Sequence, residues 1–207
     1  MTALLSPTFF GPVQWYQKLL RYDRVLIEQC DSYAKQTYRN RCLIATTNGV
    51  QALTVPVRAS SNLPLRGEAL TVPAASPLIS DHGNWHHQHW QALQSAYGDS
   101  PFFEFYEDDL RPFFTERWER LYDYDEAIRQ KMCELLDIQP TVVLTTEYQR
   151  YAETDFRDAI QPKKPAPDAD FQPRRYYQVY EQKHGFLPNL SILDLLFNMG
   201  PESIFYL

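Results

Sequence analysis

Apolar residues gather into short runs at the start of the chain and spread to helical spacing further on, so strands are expected first and helices later. Ala3–Ser6, stopped by Pro7, predicts a short buried strand, with Thr8–Gly11 as the loop that follows. Val13, Tyr16, Leu19 and Leu20 then recur on one helical face with Trp15 beside it. Pro12 suits the first turn of that helix, where a missing N–H costs nothing. Val25, Leu26 and Ile27 make Arg24–Gln29 a second strand. Strand, loop, helix and strand within about thirty residues form a βαβ unit, parallel and right-handed in nearly all proteins.

Arg41–Ala45 and Val50–Val57 flank Thr47-Asn48-Gly49, and an Asn-Gly pair between such runs signals a hairpin. Ala59–Leu78 is rich in Pro and Ser, with one further strand expected at Ala69–Val72. Ser80 or Asp81 caps a helix running to Tyr97 and stopped by Gly98, with Trp85, His89, Ala92 and Ala96 as one stripe. His86, Trp90, Leu93 and Tyr97 form the stripe beside it. Pro101–Phe114 reads as an aromatic, acidic helix with its rings turned inward, and Trp118–Leu136 as another built on Leu121, Ile128, Met132 and Leu135. Val142–Thr145 is expected as a third parallel strand. Tyr151–Pro173 is charged, Pro-rich and without periodicity, which predicts a long surface loop of the kind that covers sites. Arg174–His184 reads as a helix stopped by Gly185; Ser191 caps a last helix, with Asp194 as capping-box partner and Gly200-Pro201 ending it.

The expected class is therefore α/β: a Rossmann-like βαβ core with parallel strands, an added β-hairpin and a helical part covering the sheet. One domain, 1–207, is expected, with an α/β and hairpin part at 1–78, a helical part and last strand at 79–150, and a long loop with C-terminal helices at 151–207.

Composition narrows the setting. A chain of 207 residues with 44 % hydrophobic and 14 % aromatic content builds a packed core, which excludes wholesale disorder. A net charge of −6 disfavours non-specific nucleic-acid binding. The charge is uneven: Met1–Arg58 carries seven Lys/Arg against three Asp/Glu, a net of +4, and Asp81–Asp137 five against thirteen, a net of −8. Cys30, Cys42 and Cys133 are widely spaced and odd in number, as in a reducing compartment. MTALLSPTFF lacks the basic and apolar parts of a signal peptide, and no stretch nears the roughly 18 apolar residues of a membrane span. A cytoplasmic protein is expected.

The densest polar segment, Glu28–Arg41, directly follows the second strand, and loops at the carboxyl ends of strands are where open α/β sheets bind ligands. Glu28, Gln29, Lys35, Gln36, Arg39, Asn40 and Arg41 point to an anionic, hydroxylated small molecule, phosphorylated or carboxylated and sugar-like. Arg39 and Arg41 offer forks for phosphate or carboxylate, while Asn40 and Gln36 would orient hydroxyls. Gln14, Tyr16 and Lys18 lie on the first helix, near an anion-favouring N-terminus, although a lone Lys such as Lys18 commonly sits in water. His89 is the candidate for moving a proton and Lys35 its catalytic companion; Trp85, Tyr97 and Tyr16 are aromatic walls for a sugar or base.

His82, His86 and His89 at i, i+4 and i+7 could share Zn²⁺, but the Glu of HExxH is absent and His89 falls in an apolar stripe, so no metal site is expected. Seven Gly and no GxGxxG, GxxxxGK[ST] or GxSxG remove the common nucleotide and hydrolase motifs, and the sequence names no cofactor. Cys30 follows the second strand yet reads as a packed residue rather than a nucleophile.

SPTFFGPVQWYQKLL, VLIEQCDSYAKQTYRNRCLI and NGVQALTVPV, with Trp85 and His89, Tyr97 before SPFFEFY, and the ending LSILDLLFNMGPESIFYL, resemble the WbqC-like protein family over nearly the whole chain. Ser6 stands where the family pattern has Gln before Pro7. The resemblance implies work in surface-polysaccharide or O-antigen biosynthesis: transfer of an amino-acid, acyl or related group onto a (nucleotide-)sugar. A non-catalytic binding or scaffold protein of the same pathway is the alternative, a homodimer built on Phe102–Tyr106 and the last helix. A nucleotidyltransferase-like enzyme is a further one by fold analogy, although Pro12-Val13-Gln14-Trp15 lacks the His-x-x-His of that class.

Overall fold

The βαβ unit forms where the apolar runs fall, in a computed structural model that describes residues 1–58 and 76–207. The strand expected at Ala69–Val72 lies outside the described residues. In chain order the elements are β1 (Thr2–Leu5), α1 (Val13–Arg21), β2 (Arg24–Ile27), β3 (Arg41–Thr46), β4 (Gly49–Thr54), α2 (Trp85–Tyr97), α3 (Phe103–Leu110), α4 (Leu121–Leu135), β5 (Val142–Leu144), β6 (Thr154–Asp155), α5 (Glu181–His184) and α6 (Ile192–Met199).

β1 pairs parallel with β2, Leu4 opposite Leu26, and β5 extends the sheet beyond β2, Val143 opposite Leu26. β6 pairs parallel with β1 on its other side, giving the order β5-β2-β1-β6. The chain leaves β1 toward one side of the sheet and later returns to the other, so the order reverses between β1 and β6. A crevice outside the carboxyl ends opens at such a point. The hairpin β3–β4 is a separate antiparallel pair that packs against α2 and α6. The α/β class, the parallel core, the added hairpin and the helical cover are thus as the sequence predicts.

Several boundaries differ for local reasons. Pro12 is the extended residue before α1 (φ −70°, ψ 161°) rather than its first turn, and it bridges to Ser191. The hairpin turns on Thr47-Asn48, with Gly49 opening β4 at φ 104°, a left-handed conformation that suits Gly alone at low cost. α2 starts at Trp85, because Gly83 (φ 87°) and Asn84 (φ 49°) break any continuation from Ser80 or Asp81. His82 is therefore off the helix and does not share a face with His86 and His89. The aromatic segment makes α3 and then a 3₁₀ turn at Arg111–Phe114, burying Phe103, Tyr106, Phe113 and Phe114 while Phe105 stays 71 % exposed.

The stretch Tyr151–Pro173 is not a surface loop throughout. It contributes β6, continues with a Phe156 N–H to Leu4 O bond of 3.0 Å, and buries Phe156, Ala159 and Ile160. Arg174–His184 is helical only at α5. Before it, Tyr176 and Gln178 alternate into the interior around an exposed Tyr177, a strand-like period that helical spacing cannot satisfy. Ser191 does cap α6 through Leu193 N–H, but Asp194 is no capping-box partner. Its buried carboxylate accepts from Tyr97 Oη at 2.9 Å, Tyr176 Oη at 2.7 Å and Gln178 Nε2 at 2.9 Å. α6 and the Phe103 and Tyr106 rings of α3 pack into this core, while Phe105 stays exposed.

α1 is buried almost all round, not along one stripe, and Lys18 does not sit in water. Its side chain is fully enclosed, with Nζ 2.8 Å from Asp168 Oδ2 and 4.3 Å from the centre of the Phe156 ring. Gln14 Nε2 donates to the same Asp168 oxygen at 2.8 Å. Burial alone would push the Asp168 carboxyl up, but the Lys18 ammonium and the Gln14 amide outweigh it and hold it below the usual carboxylate range. The pair clamps the segment after β6 onto α1.

A folded-state value below the unfolded one near 4 means that the clamp stabilises fully above that value and is lost as pH falls through the folded one. Asp168→Asn or Lys18→Met is expected to cost roughly 3 kcal/mol at neutral pH, because one buried charge is left unpaired. Urea melts from pH 7 down to pH 2 should show the Asp168→Asn penalty shrinking below about pH 4.

Candidate functional site

The loops after β2, β5 and β6 meet over one buried carboxylate. Glu28, just past β2, is fully enclosed: Oε1 accepts from Cys30 N at 2.8 Å and Thr145 Oγ1 at 2.9 Å, and Oε2 accepts from Gln149 N at 2.7 Å. Arg157 Nη1, from the segment after β6, lies 3.6 Å from the same Oε2. Thr145 Oγ1 also accepts from Gln29 N at 3.0 Å. The polar residues at the end of β2 therefore tie the β5 and β6 loops down.

A cleft of about 320 Å³ opens among the loops at this end of the sheet. It is lined by Ser6–Thr8 after β1, Asp31–Arg39 after β2, Tyr148 after β5, and Asp155–Lys163 at and after β6. All four carboxyl ends contribute, at the reversal of strand order. Arg39 is the inner cation: Nη1 donates to Ser32 O at 2.7 Å, and Nη2 to Asp31 Oδ2 at 2.6 Å and Ser6 Oγ at 3.3 Å. A Phe9 N–H to Tyr38 O bond of 2.9 Å joins the same two loops. Arg157 donates from Nη2 to Asp155 Oδ2 at 2.7 Å, and its Nη1 is buried without a hydrogen bond. Lys35 is exposed at the rim and makes no ion pair among the described residues, and Lys163 reaches over to Gln36 Oε1. Gln36 adopts a left-handed φ of 64°, a conformation uncommon for a residue with a side chain.

Of the sequence candidates, Lys35, Gln36 and Arg39 meet in this cleft, and the others do not line it. Gln14 and Lys18 hold Asp168, and Asn189 closes the same knot by accepting from Gln14 N at 2.9 Å. Tyr16 is buried in the α1 core. Asn40 Nδ2 donates to Val55 O at 2.8 Å and so fixes the hairpin. Arg41 opens β3, parted from Arg39. Trp85 donates from Nε1 to Ser80 O at 3.0 Å and stacks on His86. Tyr97 Oη accepts from Ala45 N at 3.1 Å while donating to Asp194. His89 packs against Trp85 and Phe9, with ring centroids 5.1 and 6.0 Å away. Among the described residues no three His, Cys, Asp or Glu side chains are placed to hold a metal ion.

A model of the WbqC-like protein family matches residues 6–163 and 163–206. The chain belongs to that family. It is also 26 % identical to the uncharacterized protein Rv1507c of Mycobacterium tuberculosis (strain ATCC 25618 / H37Rv), over 95 % of this chain and 93 % of that one. No solved structure matches it significantly.

In this WbqC-like chain, sequence reasoning missed Arg157, Asp155 and Lys163, which complete the cleft from the β6 side. The one available signal was the apolar set Phe156, Ala159 and Ile160 inside a charged, Pro-rich stretch, which marks a segment drawn into the core. Asp125 and Tyr122 on α4 were missed as well. Both are buried beside the β1 loop without hydrogen-bond partners for their side-chain oxygens.

His89 has its own signature. Burial, aided by the neighbouring charge of His86 and opposed by a hydrogen bond to the Thr54 backbone, pulls its pKa down to about 4. The folded protein keeps the ring neutral while the unfolded chain protonates it below about 6.5. Stability is therefore full above 6.5 and falls by ~1.4 kcal/mol per pH unit toward 4. Chemical melts between pH 7 and 4 should show this slope, and His89→Gln should flatten it.

Proposed function

We propose that the cleft at the carboxyl edge of the sheet binds a phosphorylated or carboxylated, hydroxyl-rich small molecule, and that the protein is a transferase moving an amino-acid, acyl or related group onto a (nucleotide-)sugar for cell-surface polysaccharide. The observation that carries this reading is the convergence of Lys35, Arg39, Arg157 and Lys163 on one cleft at the reversal of strand order. Arg39 and Arg157 are held rigid by their own aspartates, so they supply fixed N–H donors at no cost in reorganisation. Lys35 and Lys163 are mobile rim charges suited to phosphate oxygens. Ser6, Thr37 and Gln161 bring neutral groups that match hydroxyls. Family membership supports a role in that pathway by association alone.

Within this scheme Lys35 stabilises charge on the transferred group, and Trp15 and Tyr38 furnish the aromatic surface that the sequence reading assigned to Trp85 and Tyr16.

Calorimetry and thermal shift with nucleotide-sugars, acyl donors and inorganic pyrophosphate test the reading. At least one nucleotide-sugar is expected to stabilise the protein, with affinity falling as salt is raised. Lys35→Ala combined with Lys163→Ala should weaken it about tenfold, while Arg41→Ala, away from the cleft, should leave it unchanged. Stabilisation by none of the compounds, or binding that survives the double substitution, overturns the assignment.

A further inference from the structure

A second, much smaller crevice lies beside the cleft and shares Pro7, Thr8 and Trp15 with it. Its volume is about 10 Å³, room for one water-sized group. Its far wall comes from α4, which brings Tyr122, Asp125, Glu126 and Arg129 against Thr8 and Gln29.

The polar atoms there are not satisfied. Asp125 is 2 % exposed, and among the described residues neither carboxylate oxygen has a hydrogen-bond partner; Thr8 Oγ1 and Tyr122 Oη, 4 % and 2 % exposed as residues, have none there either. Native interiors hold few such groups, and each marks a missing partner or a functional role. Charges nearby do not fill the gap. Glu126 and Arg129 pair with one another, Arg129 Nε donating to Glu126 Oε2 at 2.7 Å, which leaves Asp125 uncompensated on its own helix. Arg39 and Tyr33 from the loop after β2, Tyr16 from α1, and Tyr122, Tyr124 and Glu126 on α4 surround it electrostatically without donating to it. Gly11 is part of the construction: a Cβ there would come within 2.4 Å of Thr8 Oγ1 and push that hydroxyl from the crevice.

We infer that this crevice is the subsite for a primary amine on the ligand, whose ammonium donates to Asp125, with Thr8 and Tyr122 completing its shell. The inference rests on the cleft reading, since the anionic part of the same molecule occupies the cleft. Three N–H donors on a compact cation match two carboxylate oxygens and a hydroxyl, where a neutral hydroxyl group would satisfy one of them. Burial, opposed by Arg39 and reinforced by Glu126, pushes the Asp125 carboxyl well above the usual carboxylate range. Arrival of the ammonium reverses this. The carboxyl releases its proton to solvent, the ligand nitrogen keeps its own, and the charge pair forms within the crevice.

The test compares glucosamine 6-phosphate, its N-acetyl derivative and glucose 6-phosphate by calorimetry at pH 6 in buffers of different ionisation enthalpy. The amine is expected to bind about tenfold or more tightly than the other two, with a proton release that the others lack. Asp125→Asn should abolish both the preference and the release while the phosphate-dependent affinity remains. Thr8→Val keeps the carboxyl and should lower the preference while the proton release persists, which gives a second comparison if Asp125→Asn does not fold. Equal binding of the three compounds, or a preference that survives Asp125→Asn, overturns the amine subsite and leaves the cleft standing. Binding by none of them overturns both.

Discussion

One buried negative charge organises the functional end of this molecule. Glu28 has no access to water, and a carboxylate in that position is tolerated only when donors surround it. The donors are the backbone of its own turn and Thr145 and Gln149 after β5, and Arg157 after β6 adds a charge 3.6 Å away. Removing any one leaves part of a charge unsolvated, so the loops are locked to each other more firmly than their sparse apolar contacts could achieve. The short strands make this necessary. β5 has three residues and β6 two, which is too little ladder to position anything by itself.

The same economy explains how the cleft presents its cations. Arg39 and Arg157 are each bound to an aspartate of their own loop, so the pairs carry little net charge and serve as rigid donors. Among the described residues Lys35 makes no ion pair at the rim, and Lys163 reaches to a neutral amide. The site thus combines a stiff inner layer with a mobile outer one, and preorganised inner donors are what distinguish a binding cleft from a chance basic patch. The Lys18–Asp168 clamp extends this rigidity to the segment after β6, holding the third wall in place from the far side of α1.

The sequence made the frame legible because local physics decides it. Pro7 ending β1, the apolar stripe of α1, the run Val25–Ile27 and the turn before Gly49 each act over a few residues, and the parallel βαβ unit follows from them. It made Lys35, Gln36 and Arg39 legible for the same reason, since they sit in one loop after one strand. It could not show Arg157 or Lys163, because β6 is too short to carry any period and its register is set by β1, some 150 residues away in the chain. Nor could it separate Arg39 from Arg41: two residues apart, they part where the loop becomes a strand. His89 and Trp85 share a helix face with core residues, and nothing in a periodic pattern distinguishes a pocket wall from packing.

Where the local rules fail is itself informative. A helix with a lysine inside, a left-handed glutamine, and a helix that turns an unpartnered aspartate and tyrosine inward are all locally unfavourable choices. Lys18 is compensated within the fold by Asp168, which makes it structural. Asp125, Tyr122 and Thr8 are not compensated, and they converge on the loop after β1, beside the cleft rather than at random in the core. Destabilising features that survive without an internal partner concentrate at functional sites, because their partner arrives from outside. Two neighbouring demands, one for an anion and one for a small cation, therefore describe a single zwitterionic ligand lying across Pro7 and Thr8 better than two unrelated ones.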